Sequence, residues 1–143
     1  HCPAECVGRL HFGMADDLPF PDGAFDLVLS INTLHNLPRP SLIRALREMR
    51  RVSLGAMFVQ VDSYRTPAEK AAFEDWVLTA ETHGPPEFWL ELFAEAGYDG
   101  DYAWTIVGAR ECEQCGGSGF TPWDGYGDGC RACRGTGVAR DGA

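Results

Sequence analysis

The stretch that decides the fold is Leu18-Pro-Phe-Pro-Asp-Gly-Ala-Phe-Asp-Leu-Val-Leu-Ser-Ile-Asn-Thr-Leu-His-Asn36. Its Asp-Gly step indicates a turn, and the nearly continuous apolar run Phe25–Ile31 predicts a parallel strand covered on both faces. Ligands of open α/β sheets bind at the carboxyl ends of the strands, so the polar residues that end this run are candidate binding residues. They are Ser30, Asn32, Thr33 and His35.

Strand-like and helix-like patterns alternate on either side of that stretch. Strands are predicted at residues 9–12, 56–61 and 102–107, and helices are predicted to begin near residues 41, 66 and 87. Such alternation predicts an α/β fold with a mainly parallel sheet. Asp62 and Tyr64 follow the strand at 56–61, so they are expected at the same edge of the sheet as Asn32.

The helix boundaries carry recognisable capping residues. Ser41 is the predicted N-cap of the first helix, and Thr66 with Glu69 predicts a capping box that starts a helix ended by His83-Gly-Pro-Pro86. Gly97 is the predicted stop of the third helix. Aromatic residues of the last two helices are expected in the core rather than on a substrate platform. They are Phe73, Trp76, Phe88, Trp89 and Phe93.

Residues 18–36 resemble the middle of a class I S-adenosylmethionine-dependent methyltransferase, in which the Leu-Pro-Phe-Pro-Asp-Gly-x-Phe-Asp segment leads into the fourth strand of a doubly wound sheet. The resemblance extends from about residue 9 to residue 107 and includes Glu48-Met-Arg-Arg-Val52 and Ala94-Glu-Ala-Gly-Tyr98. It implies a Rossmann-like α/β domain that transfers a methyl group from S-adenosylmethionine.

The resemblance also implies roles for individual residues. Asn32 would border the methyl group of the cofactor, and His35 would be a candidate base, with an N-terminal helix position as the structural alternative. Met14 occupies the position of the family's adenine-binding carboxylate, so Asp16 is either its substitute or a solvated turn residue. The implied cofactor-binding residues are Met14, Ala15, Asp16, Ser30 and Asn32. Asp62 and Tyr64, at the end of the next strand, are the candidate substrate-binding residues, with turn-forming or exposed roles as the alternative.

The glycine-rich turn and the ribose-binding acidic residue of that family do not precede residue 9. The chain also opens on a histidine, and we therefore expect it to be the C-terminal part of a longer protein, inactive by itself. A processed or split polypeptide would show the same pattern. The strand at 25–31 would then lack a neighbour on one side, which favours association over a well-behaved monomer.

Two copies of Cys-x-x-Cys-x-Gly-x-Gly lie at residues 112–119 and 130–137. The spacing predicts a closed, tetrahedral zinc site formed by Cys112, Cys115, Cys130 and Cys133. A redox dithiol, disulfides or an iron site are alternatives, and Cys2 and Cys6 are expected to be ordinary cysteines. The motif resembles half of the cysteine-rich zinc domain of DnaJ-type chaperones. We therefore divide the chain into residues 1–110, the methyltransferase part, and residues 111–143, a zinc module that could contact a protein partner.

The formal net charge of −9 argues against a general nucleic-acid or anionic membrane surface. A cluster at Arg44, Arg47, Arg50 and Arg51 is expected on a solvated helix face. The expected protein is cytoplasmic and methylates a small molecule. The alternatives are a non-catalytic, zinc-bearing interaction protein and half of a nucleotide-binding oxidoreductase.

Overall fold

The structure of this protein is a computed structural model that describes residues 4–107. Its strands are β1 (Phe25–Ile31), β2 (Ser53–Asp62) and β3 (Asp101–Thr105). Its α-helices are α1 (Arg39–Val52), α2 (Pro67–Trp76) and α3 (Pro86–Ala96), and 3-10 helices span Ala4–Arg9 and Leu34–Asn36. The predicted α/β class is confirmed for this part of the chain.

The described strands form a parallel sheet in the order β1-β2-β3. Leu29 pairs with Phe58, which in turn pairs with Asp101, so all three strands deliver their carboxyl ends to one edge. This arrangement is consistent with a partial Rossmann-like fold. It also confirms the parallel sheet that the alternating pattern predicted.

The core lies on one face of the sheet, under α1 and α3. Leu42 and Leu46 of α1 and Trp89 of α3 are fully buried in a cluster with Val59 and Val61 of β2. Close packing of such large side chains against a strand is the main stabilising contribution that the described residues make, at about 1.5–3 kcal/mol for each fully buried aliphatic side chain.

Hydrogen bonds between α1 and the turn before β1 hold these two segments of the chain together. The guanidinium of Arg51 donates to the carbonyl oxygens of Leu18 (3.0 Å) and Phe20 (2.8 Å) and to the carboxylate of Glu48. Glu48 also accepts the backbone N–H of Leu18 at 2.8 Å. Arg51 is therefore a structural residue and not part of a solvated face, which corrects one expectation for the arginine cluster.

The helix ends follow the predicted capping chemistry in two of three cases. Thr66 accepts the backbone N–H of Glu69 at 3.2 Å, while the carboxylate of Glu69 accepts the N–H of Arg65 at 2.7 Å. Gly97 ends α3 with a left-handed φ of 72°. The prediction for Ser41 was wrong, because α1 begins at Arg39 and its N-cap is Pro38, three residues before Ser41. A proline in the first helical turn needs no N–H partner, so the helix extends back over Pro40.

The predicted strand at residues 9–12 was also wrong. Residues 4–9 form a 3-10 helix, and residues 10–13 have no regular structure. A strand needs a neighbour with which to exchange hydrogen bonds, and the described sheet contains only β1, β2 and β3.

Strand β1 is not covered on both faces by the described residues, contrary to the expectation. Alternate side chains along it are about half exposed, at 54% for Leu27, 58% for Leu29 and 49% for Ile31. Trp76 departs from its predicted place as well, since α2 ends at this residue and leaves its side chain 56% exposed. Val77 already has an extended backbone, so the predicted helix stops before it reaches residue 83.

The exposed side of β1 leads to a prediction about association. We expect the 143-residue chain to self-associate through this edge strand. Leu29→Lys should weaken the association about tenfold or more, because it removes a leucine that the contact would bury. Sedimentation velocity over a range of concentrations measures this. Leu90→Lys, a matched change at an exposed leucine of α3, should leave association unaltered. Equal effects of the two substitutions would contradict a contact through β1.

Candidate functional site

The carboxyl end of β1 holds an unusual backbone conformation. Asn32 has φ 49°, in the left-handed region, and is the only non-glycine residue of the described chain with a positive φ. Asparagine tolerates this region better than most residues, and its backbone N–H donates to the carbonyl oxygen of Gln60 at 2.9 Å. Such conformations cluster at functional sites, where the surrounding structure holds them in place.

A chain of hydrogen bonds links the ends of all three strands. The amide of Gln60 donates to the hydroxyl of Thr105 (2.9 Å), and that hydroxyl donates to Oδ1 of Asn32 (3.3 Å). Sequence reasoning did not single out Gln60 or Thr105. Their positions near the ends of two predicted strands were the available signal, because parallel neighbours bring such residues to one edge.

His35 and Asp62 form a buried pair beside that edge. Nε2 of His35 lies 3.4 Å from Oδ2 of Asp62, and the side chains are 6% and 1% exposed. The backbone N–H of Asp62 points at Nδ1 of His35 at 3.4 Å. Since Nδ1 acts as the acceptor there, the neutral imidazole carries its proton on Nε2, facing the carboxylate.

Burial governs the ionisation of both members of the pair. Desolvation lowers the pKa of His35 from 6.5, against the attraction of Asp62, which raises it. Desolvation raises the pKa of Asp62 from 3.8, while His35 and the Thr105 hydroxyl lower it. Neither carboxylate oxygen of Asp62 has a hydrogen-bond partner of acceptable geometry among the described residues. The buried charge of Asp62 is therefore poorly compensated at neutral pH.

We expect Asp62→Asn to increase the free energy of unfolding at pH 7.5 by about 1–3 kcal/mol, because the substitution removes this poorly compensated charge. The gain should shrink as the pH falls to 5.5. Two effects act in that direction. The raised pKa of Asp62 means that, as the pH falls, this carboxylate is protonated in the native wild type before it is protonated in the unfolded chain. The cost of burying its charge therefore decreases on acidification. The lowered pKa of His35 means that, below pH 6.5, this histidine is protonated in the unfolded chain before it is protonated in the native chain. Removing Asp62 lowers the pKa of His35 further, so acidification destabilises the variant more than the wild type through this histidine.

Urea unfolding of both proteins at the two pH values measures the difference. Asp75→Asn, which removes an exposed carboxylate of α2, is the matched control and should change stability little at either pH. A loss of stability on Asp62→Asn at pH 7.5 would show that the pair stabilises the fold as an ion pair.

A cavity of about 400 Å³ lies against this pair. Asn32, His35 and Asp62, which the sequence predicted as site residues, line it together. The other lining residues are Asn36, Trp76, Val77, Leu78 and Thr79. Sequence reasoning placed Trp76 in the core, and its true position follows from the early end of α2.

Tyr64 does not line that cavity. Its hydroxyl lies 3.4 Å from Nδ1 of His83, and its ring packs against those of His83 and the buried Phe73. The structure thus separates Tyr64 from Asp62, with which the sequence paired it. Its role toward a substrate stays a prediction.

The predicted cofactor-binding residues fall into two places. Ala15 and Ser30 line a second groove of about 290 Å³ between β1 and α1, which is otherwise mainly apolar. The carboxylate of Asp16 is held by the guanidinium of Arg44 at 2.6 Å, and hydrogen bonds from Arg44 and then Ser41 lower its pKa. Met14 is 65% exposed and does not line the groove.

Residues 4–59 match a methyltransferase domain. The matched segment contains the turn at residues 18–23, all of β1 and α1, and the first part of β2. The match supports a class I S-adenosylmethionine-dependent methyltransferase domain, and such a domain implies the use of that cofactor. No solved structure matches the chain.

The described residues fit one end of S-adenosylmethionine better than the other. At the carboxyl end of β1, Asn32 is exposed beside a cavity, so its side chain is accessible to the sulfonium end. On the adenine side, Asp16 would have to exchange the guanidinium of Arg44 for the adenine amino group. Of the predicted cofactor-binding residues, Asn32 is therefore the one whose position fits the cofactor best, and the roles of the others stay predictions.

The cysteines Cys112, Cys115, Cys130 and Cys133 lie outside the described residues, as do Cys2 and the whole predicted module at 111–143. Between residues 4 and 107, no group of three or more His, Cys, Asp or Glu side chains is placed to hold a metal ion. None of the helices within residues 4–107 has both the length and the apolar character needed to cross a membrane.

Proposed function

We propose that this protein transfers a methyl group from S-adenosylmethionine to a small-molecule acceptor bound at the carboxyl ends of β1 and β2. The observation that carries the proposal is the coincidence of two features. The family match runs through β1, and the strand ends at a left-handed Asn32 beside a cavity of about 400 Å³. Ligand sites of open α/β sheets lie at this edge.

When bound, S-adenosylmethionine supplies an electrophilic methyl group on a sulfonium sulfur, so the protein has mainly to position the acceptor. Asn32 is held for this by Thr105 and by the backbone of Gln60. The proton that the acceptor loses goes to the His35–Asp62 pair. Because both ring nitrogens of His35 lie against Asp62, we assign the proton to the pair rather than to an isolated histidine base.

The test is an assay of the protein expressed from its complete reading frame. The protein is incubated with S-adenosylmethionine carrying a labelled methyl group and with a panel of small amines, phenols, thiols and carboxylates. We expect a labelled product with one of these classes and a greatly reduced yield with Asn32→Ala. Failure to label any class, together with no heat of binding for S-adenosylmethionine, would overturn the proposal.

We also propose that residues 111–143 hold one zinc ion through Cys112, Cys115, Cys130 and Cys133. The support is the repeated Cys-x-x-Cys-x-Gly-x-Gly spacing, which presents two pairs of thiolates to one tetrahedral ion. The segment is rich in glycine and poor in aliphatic side chains, so metal binding would supply its folding energy. The site is closed and leaves no position for a substrate, which makes it a structural site.

A further inference from the structure

The cavity at the strand ends is lined in part by Asp62, a buried carboxylate. The Asp62 side chain is 1% exposed, and neither of its buried oxygens receives a hydrogen bond of acceptable geometry. Its closest approach to a potential cation is Nε2 of His35 at 3.4 Å, which lies outside hydrogen-bond geometry. A buried polar group of this kind calls for an explanation, and an absent donor ligand is one.

The side-chain oxygens of the two asparagines that line the cavity already have donors, which leaves Asp62 as the lining acceptor without one of acceptable geometry. Oδ1 of Asn32 faces the Thr105 hydroxyl, and Oδ1 of Asn36 accepts from the Thr79 hydroxyl at 2.8 Å. Among residues 4–107, no lysine or arginine lines this cavity. With a net charge of −9 on the whole chain, the cavity disfavours an anionic acceptor and favours a cationic one.

The remaining wall is apolar and open to solvent. Trp76 is 56% exposed and Leu78 is 94% exposed, and both line the cavity beside Val77. Large apolar side chains exposed next to a buried carboxylate suit a ligand with an apolar body and one charged end. An indole face also attracts a cation that lies within about 6 Å of it.

We propose that this cavity binds a small primary or secondary amine, whose ammonium group donates to Asp62 and whose apolar body packs on Trp76, and that this amine is the methyl acceptor. The last clause rests on the proposed function, while the amine site itself does not. His35 is a positioning residue here, because it contacts Asp62 and not the amine.

The transfer step balances with these groups. The ammonium gives one proton to the carboxylate of Asp62 and becomes a neutral amine. With S-adenosylmethionine bound, the nitrogen lone pair would form the new N–C bond while the bond between the methyl carbon and the sulfonium sulfur breaks. The electron pair of the broken C–S bond would stay on sulfur, which becomes a thioether. The product is a methylated ammonium ion, and no oxidant or reductant is needed.

The test compares two probes of matched shape by isothermal titration calorimetry on the 143-residue chain at pH 7.5. Phenethylamine carries the ammonium group, and 2-phenylethanol replaces it with a neutral hydroxyl. We expect the amine to bind about tenfold or more tightly than the alcohol, as charge-assisted hydrogen bonds predict. Asp62→Asn should remove this preference, whereas Trp76→Ala should weaken both probes alike.

Asp75→Asn is the matched control, because it removes one charge from an exposed position outside the cavity and should leave the preference intact. Circular dichroism confirms that each variant is folded, and Trp76 is too exposed for its loss to unfold the core. Equal binding of the two probes, binding of neither, or an equal loss of preference in Asp75→Asn would overturn the amine site.

The two proposals fail in different ways. Amine binding that depends on Asp62, without labelled product in the methyl-transfer assay, would overturn the methyltransferase function and leave the amine site. Labelling of a phenol or carboxylate, without selective amine binding, would overturn the amine site and leave the methyltransferase function.

Discussion

Cys115→Ser should abolish zinc binding by this protein, whereas Cys6→Ser should leave one zinc ion per chain. Removing one thiolate of four leaves a tetrahedral site incomplete, and a segment that depends on the metal for its folding then loses the site as a whole. Cys6 stands outside the repeated motif, so its loss has no such effect. Elemental analysis of the two purified variants and of the wild type by mass spectrometry gives the metal content directly.

The same experiment separates the alternatives. Iron in place of zinc would confirm the prediction of the four thiolate ligands and contradict the prediction of the metal. Zinc lost from Cys6→Ser would show that the N-terminal cysteines are ligands. Chelation of the metal should unfold residues 111–143 and leave the thermal transition of the α/β part in place, because residues 4–107 contain a core of their own.

The second large effect is expected at Asn32. Asn32→Ala should slow methyl transfer by the protein expressed from its complete reading frame by about 10- to 100-fold, the loss expected when one or two hydrogen bonds at a reacting centre are removed. The fold should be affected less, since the side chain is exposed and its only described partner is the Thr105 hydroxyl.

Asn32→Gly is the matched variant that separates side chain from backbone. Glycine adopts a φ of 49° without strain, while alanine resists it by about 1–2 kcal/mol. Equal slowing in both variants would assign the effect to the amide side chain. Normal turnover in Asn32→Gly with slow turnover in Asn32→Ala would assign it to the backbone turn, and normal turnover in both would contradict our placement of the reaction centre.

The candidate site was only partly predictable from the sequence. The end of an apolar run at Asn32 and His35, and of the next run at Asp62, placed all three residues at one edge of a parallel sheet, and the structure brings them to one cavity. Sequence reasoning could not find Trp76 there, because a helical spacing of aromatic residues predicts burial unless the helix ends early. It could not find Thr105 either, since that contact joins residues 73 positions apart.

What the sequence alone determined about this protein is local. Its apolar run specified β1, Thr66 and Gly97 specified the start of α2 and the end of α3, and the alternation of patterns specified a parallel α/β sheet. These signals act between residues a few positions apart, where hydrogen bonds and side-chain spacing are set by the chain itself.

Only the tertiary structure decided which surfaces are covered. Leu29 belongs to a run that looks buried, yet it is 58% exposed, because burial depends on what packs against a strand and not on the strand. Arg51 looks like a surface charge, yet it holds the turn at residues 18–22 in place. Asp62 looks like a strand-end turn residue, yet it is a buried carboxylate whose oxygens make no hydrogen bond of acceptable geometry among the described residues. The physical reason is the same in each case: solvation and electrostatic energy depend on neighbours that are distant in the chain, and periodicity carries no information about them.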